Sequence, residues 1–157
     1  MRRIAITGHR GLSTDVERAV DIAVRAHIGP LGAAVVGLSC LADGADTVFA
    51  RAVVDAGAPL EAVVPAEGYR GALSSPHRPV YDELLAAAVL VHRLPYVEST
   101  SSAHMDAGRY MVDHCDELVA VWDGRPARGP GGTADIVGYA REQQRPIVVI
   151  WPEGARR

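Results

Sequence analysis

From Glu117 to Ala140 the chain passes from an apolar run into a glycine-bearing loop and on into a helical pattern. Leu118 to Trp122 has the length and texture of a strand buried on both faces. Asp123 and Gly124 end it, and a loop rich in Gly, Pro and Arg follows. Gly131, Gly132 and Thr133 lead into Ile136, Val137 and Ala140, which recur at helical spacing. A strand, a glycine loop and a helix start in that order can hold an anion. Glycine lets the backbone come close, the first helical N–H groups lack intrahelical partners, and the helix dipole favours negative charge. The stretch reads as a phosphate site. The plain alternative is a turn with no ligand.

The rest of the chain repeats the strand–turn–helix rhythm. Apolar runs of strand length lie at 3–7, 33–38, 60–64, 89–94 and 147–151, with Pro65 and Pro95 expected to end two of them. Val16, Val20, Ala23, Val24 and His27 trace one helical face, as do Val48, Phe49, Ala52, Val53 and Ala56. Thr14 and Glu17 have capping-box spacing, Asp43 reads as an N-cap, and Gly57 as the residue just past a helix. Residues 66–79 read as loop with at most a helical turn. Strands alternating with helices predict an α/β fold, a mostly parallel sheet of about six strands with helices on both faces. Right-handed crossovers then bring the turns at 8–12, 39–46 and 123–133 to one rim, the edge where such sheets bind ligands.

The 157 residues fit a single domain, 1–157, with a real core. The net charge of −3 gives no general attraction to nucleic acid or to acidic membranes. No apolar run approaches the ~20 residues of a membrane span, and the start does not read as a signal peptide. Two cysteines, Cys40 and Cys115, are too few for a disulfide framework. A cytoplasmic protein with reduced thiols is expected.

Several polar residues fall on the predicted rim. Arg10 can fork onto a phosphate, and His9 beside it can donate to one or contact a base. Ser39 and Asp46 can reach sugar hydroxyls. Arg109 lies on the helix before the fifth strand and is either a ligand residue or a surface cation. Asp123 would repel phosphate unless it met a ribose hydroxyl, a metal or an arginine such as Arg125 or Arg128. Trp122 and Trp151 read as packing residues. His77, His92, His104 and His114 lack metal-ligand spacing and read as structural or surface residues, so no metal is expected. GxGxxG, GxSxG, HExxH and GxxxxGK[ST] are all absent, which disfavours ordinary dinucleotide binding and the familiar hydrolase and P-loop chemistries.

Gly8-His9-Arg10, the segment from Gly37 and Ser39 to Ala45-Asp46, and DELVAVWDG with GGTADIVGYA together resemble the SLOG superfamily. This group contains the DprA/Smf and Lonely Guy (LOG) proteins, and the likeness is nearest to its small YpsA-like members. The resemblance implies a Rossmann-like three-layer α/β/α fold and a site for a nucleotide or nucleotide-derived ligand. Together with the rim argument, this makes Gly8, His9, Arg10, Ser39, Asp46, Arg109, Asp123, Gly131, Gly132 and Thr133 the expected ligand-binding residues.

LOG proteins release a base from nucleoside 5′-monophosphates. Their pattern is an Arg on the helix before the strand, then PGGxGTxxE with a catalytic Glu. Arg109 matches that Arg, and Pro130-Gly131-Gly132-Thr133 matches a shortened form of the segment. Ile136 stands where the Glu would be, and Asp135 is the nearest acid. One residue turns a helical side chain by about 100°, so Asp135 faces elsewhere. A sensing or regulatory nucleotide-binding protein is therefore the first expectation. A phosphoribohydrolase using Asp123, Asp135 or Arg109 is the second, and DprA-like binding of single-stranded DNA the third. No cofactor is identified beyond the nucleotide-type ligand. Self-association suits a protein of this kind, but no face is marked for it.

Overall fold

The computed structural model describes residues 1–127 and 132–156. Its strands are β1 (Arg2–Gly8), β2 (Val35–Ser39), β3 (Leu60–Ala66), β4 (Leu90–Tyr96), β5 (Glu117–Val121) and β6 (Ile147–Ile150). Its α-helices are α1 (Thr14–Ile28), α2 (Ala45–Asp55), α3 (Tyr69–Ala72), α4 (Arg78–Ala87), α5 (Ser101–Asp113) and α6 (Thr133–Glu142). The strands form one six-stranded sheet in the order β4-β3-β2-β1-β5-β6. Every pairing is parallel, which sharpens the expectation of a mostly parallel sheet.

Strand direction and side-chain alternation divide the core into two layers. Ile4, Ile6, Val35, Leu60, Val64, Val119 and Val121 join residues of α1, α2 and α4 on one face. Ala5, Leu38, Val63 and Leu118 join Met111 and Val112 of α5 and Ile136 and Ala140 of α6 on the other. Each fully buried Val, Leu, Ile or Phe is worth roughly 1.5–3 kcal/mol of transfer free energy. Phe49, Leu38 and Ile6 are completely enclosed. The result is the three-layer α/β/α arrangement.

Local details depart from the sequence expectations in instructive ways. The cap of α1 is Ser13, whose Oγ accepts the Val16 N–H, and Thr14 is already helical. The second strand begins at Val35 because Gly29–Ala34 forms a 3-10 turn. Gly57 does sit just past α2, at φ +74°. Neither proline ends its strand. Pro65 falls where the β3–β4 register shifts, and Pro95 lies on the edge strand β4. A ring without an N–H is tolerated at such irregular and edge positions.

The order of strands reverses at β1: the chain moves outward through β2, β3 and β4, then crosses back to β5. The C-terminal ends of β2, β1 and β5 are therefore neighbours, as the sequence predicts.

Candidate functional site

A cavity of about 520 Å³ opens at that reversal point. Gly8, His9, Arg10 and Gly11 follow β1 into it, Cys40, Ala42 and Asp46 line it from the β2–α2 side, and Gly132 and Thr133 line it from the start of α6. Pro65, Tyr69, His104 and Met111 complete the wall.

The glycines act through packing. A Cβ on Gly8 would lie 2.4 Å from the Ala45 Cβ and 2.8 Å from the Val121 Cβ. That space is filled by the start of α2 and the end of β5, so Gly8 lets three elements converge beneath the cavity. At Gly44, with φ +82°, a Cβ would lie 2.6 Å from the His9 carbonyl oxygen. The turn after β1 thus rests directly on the start of α2, and the Ala45 N–H donates to the same carbonyl at 3.3 Å.

Arg10 is half exposed at the rim and bonds Asp43 Oδ1 through Nε and Nη2, each at 2.8 Å. Asp43 Oδ2 accepts the Gly11 N–H at 3.2 Å. Burial raises the Asp43 pKa, but the hydrogen bond and charge of Arg10 outweigh it and leave the carboxyl below its ordinary value. This corrects the capping assignment. Gly44 is the N-cap of α2 and no side chain caps it. Asp43 instead tethers the β1 turn.

Asp46, in the first turn of α2, is the acid that lines the cavity. Its Oδ2 accepts the Ala42 N–H at 3.3 Å. Burial pushes its carboxyl up to about 7, against the opposing effects of the Ala42 bond and the Arg10 charge. Ser39 lies beneath, fully buried. Its Oγ donates to the Asp46 carbonyl and accepts the Leu41 N–H, so it shapes the loop and does not line the cavity.

His9 is 8% exposed and keeps a ring edge in the cavity wall. Its Nε2 accepts the Asp123 N–H at 3.1 Å, and Trp151 packs edge-on at 5.4 Å. Asp123 Oδ1 is 3.3 Å from the same nitrogen, a contact that becomes an ion pair when the ring is protonated. Asp123 also accepts the Arg125 N–H at 3.0 Å, folding the turn after β5. It touches His9 and does not line the cavity itself.

Gly132 is the N-cap of α6, and no side chain caps it. Gly132 and Thr133 line the cavity at the start of this helix, and the Gly132 carbonyl accepts the Asp135 N–H at 3.1 Å. Gly131, Pro130 and Arg128, the rest of the proposed anion loop, lie outside the described residues.

Arg109 and Asp135 stand elsewhere. They line a second groove on the outer side of α5 and α6, with Tyr96, Asp106, Tyr139 and Glu142. Arg109 pairs with Asp106 at 3.1 Å and lies over the Tyr139 ring. The sequence argument placed Arg109 with the anion loop because α5 precedes β5, but the side chain projects from the far face of the helix.

Two cavity residues escaped the sequence reading. Tyr69 is buried and packs edge-on against His104, 5.8 Å between centroids. His104 Nε2 lies 2.8 Å from Ser99 Oγ. Burial and then the Arg10 charge hold its imidazole below the ordinary pKa. The remaining histidines are structural or surface as expected: His77 is buried against the Leu41 carbonyl, and His92 bridges Glu61 and Tyr110. Among the described residues no cluster of His, Cys, Asp and Glu could hold a metal, and no helix is long and apolar enough to cross a membrane.

No family model and no curated protein matches this chain. Solved structures do. DNA processing protein A from Streptococcus pneumoniae aligns over 95% of this chain with a TM-score of 0.69 and 19% identity. This chain spans half the length of that protein. The Helicobacter pylori protein, described with a single-stranded DNA binding mode, aligns over 98% of this chain and 67% of its own, with a TM-score of 0.72 and 14% identity. The molybdenum cofactor binding protein of Rippkaea orientalis aligns over 97% and 77%, with a TM-score of 0.63 and 13% identity. The chain thus has the Rossmann-like fold shared by DNA processing protein A and the molybdenum cofactor binding protein.

Proposed function

We propose that this protein binds a nucleotide or nucleotide-derived phosphate ligand in the cavity at the ends of β1, β2 and β5, as a sensor or regulator. The observation that carries this reading is the convergence on one cavity of Arg10, the start of α6 at Gly132 and Thr133, and the β1 turn. Arginine supplies a charged fork of donors, and the helix start supplies oriented N–H groups. The volume, about 520 Å³, suits a ligand larger than a phosphate group. Binding draws Arg10 partly away from Asp43, since one guanidinium serves both.

The phosphoribohydrolase alternative needs a carboxylate at the ribose. Asp135 lines the other groove, and Asp123 is engaged with His9 and the Arg125 N–H. Neither placement supports it. DNA binding is disfavoured by the net charge of −3, because phosphate-backbone affinity rests on neutralising cations.

A thermal-shift screen against nucleoside mono-, di- and triphosphates and ribose 5-phosphate tests the reading, with released base measured for every hit. A ligand at 100 times its Kd adds about 2.7 kcal/mol of stability. A shift without base release, lost in Arg10→Ala, is the expected result. Base release promotes the hydrolase, and the absence of any shift removes the phosphate site.

A further inference from the structure

The cavity is lined by two kinds of group, one at or after the ends of β1 and β5 and the other at or after the ends of β2 and β3 or carried on α5. One is backbone and cation: Gly8, Arg10, Gly132 and Thr133. The other is ring and thioether: Pro65, Tyr69, His104 and Met111, with the Cys40 thiol beside them. Burial drives the groups of the second kind toward their uncharged forms. The Tyr69 phenol and the Cys40 thiol are held well above their ordinary values, and the His104 imidazole below its own. A surface of that kind accepts a flat, neutral ring and offers no attraction to a phosphate.

Asp46 is the acid among the cavity's described lining residues. One of its oxygens holds the Ala42 N–H at a long 3.3 Å. The other has no protein partner among the described residues. Asp46 and Cys40 both follow β2, whose neighbour β3 carries Pro65 and leads into Tyr69, so the Asp46 carboxylate stands on the ring side of the cavity. An ionised carboxylate only accepts hydrogen bonds, and its two oxygens match two adjacent N–H donors.

We propose that Asp46 determines specificity by accepting hydrogen bonds from paired N–H donors on the ligand's ring, the N1–H and N2–H edge of guanine. This rests on the phosphate reading above, since the bound phosphate fixes the position of the ring. Hypoxanthine offers one of the two donors. Adenine presents an acceptor where the first donor should be, and leaves the carboxylate facing a lone pair. A site built around such a pair rejects a ring that cannot complete it.

The test compares GMP, IMP, AMP and ribose 5-phosphate by calorimetry at pH 8, where Asp46 is ionised. The charged and titratable groups around it are Arg10, Asp43, Cys40 and Tyr69. Asp46→Asn keeps an oxygen for the Ala42 N–H and replaces the second acceptor with a donor, so the loop is retained. Wild type is expected to bind GMP about tenfold or more tightly than AMP, with IMP between them. Asp46→Asn is expected to reduce the GMP preference to less than about twofold while leaving ribose 5-phosphate within about twofold of wild type. Equal affinity of wild type for GMP and AMP overturns this proposal alone, as does an equal loss of GMP and ribose 5-phosphate in the variant. Failure of every probe to bind removes the phosphate reading and this proposal with it.

Discussion

Arg3 on β1 holds Glu61 on β3 across the intervening strand, through two parallel N–H···O bonds of 3.0 Å each. His92 on β4 reaches the same carboxylate at 2.7 Å. Three strands, β1, β3 and β4, are thus tied across β2 at the end of the sheet opposite the cavity. The Arg3 bonds hold the Glu61 carboxyl below its ordinary value despite burial. That stabilisation is present above the ordinary glutamate pKa and is lost as pH falls through the lower, folded-state value. Glu61→Gln is expected to cost about 2 kcal/mol at pH 7, because it leaves the Arg3 charge without its partner. Urea titrations should show that cost shrinking as pH falls below the ordinary glutamate value and through the lower folded-state one, where wild-type Glu61 itself takes up a proton. A pH-independent difference would show that the charge is not what matters.

Asp46 produces the opposite pH dependence. Its folded-state pKa, about 7, stands above the ordinary 3.8. Between those values the unfolded chain has released a proton that the folded chain keeps, so wild-type stability falls as pH rises from about 4 to about 7. The limit is about 1.4 kcal/mol per pH unit. His104, with a lowered pKa, contributes the opposite slope near its own titration, so the informative quantity is wild type minus Asp46→Asn. The variant should match wild type at pH 4 and exceed it by about 2 kcal/mol at pH 8. Parallel curves would show that Asp46 is solvated in the folded protein.

Gly8→Ala should destabilise the protein. The added methyl meets the Cβ atoms of Ala45 and Val121, which belong to the frames of α2 and β5 and cannot swing aside. Overpacking of this kind costs roughly 1–3 kcal/mol. For a chain of this length that is a fall of about 2–4 °C in melting temperature per kcal/mol. An unchanged melting point would mean that the three elements can separate freely.

Arg10→Ala separates binding from stability. The Arg10–Asp43 pair is half exposed, and such pairs contribute about 0–1 kcal/mol. The melting temperature should move by no more than about 3 °C. Affinity for a phosphate-bearing ligand should fall about tenfold or more, through loss of a charge-assisted contact. A large fall in stability with unchanged affinity would assign Arg10 to the loop and not to the ligand.

The strands were legible in the sequence because a parallel strand buried on both faces leaves an uninterrupted apolar run, as Val119, Ala120 and Val121 do. The rim was legible too, since turns after successive parallel strands must share one edge. Side-chain direction was not. Ser39 looks like a ligand hydroxyl by position, but its strand-end geometry turns it inward to the Asp46 carbonyl. Asp43 has the residue type of a cap, yet Arg10, 33 positions away, competes successfully for its carboxylate. Tyr69 and His104 carry no spacing signal at all. They meet because α3 follows β3 and α5 crosses the sheet, an adjacency that exists only after the strands are ordered.

β1 lies inside the sheet and pairs with β2 on one side and β5 on the other. The β5 contacts join Ile4 to Glu117 and Gly8 to Val121, across most of the chain. Closing so long a loop costs entropy before any contact repays it, and folds dominated by such pairings form slowly. The cavity shares this timing, because its wall needs the β1 turn and the start of α6 together. A chain ending at residue 116 therefore leaves β1 paired on its β2 side alone and the cavity without the wall that α6 supplies. Completion of the sheet and completion of the cavity depend on the same long-range pairing.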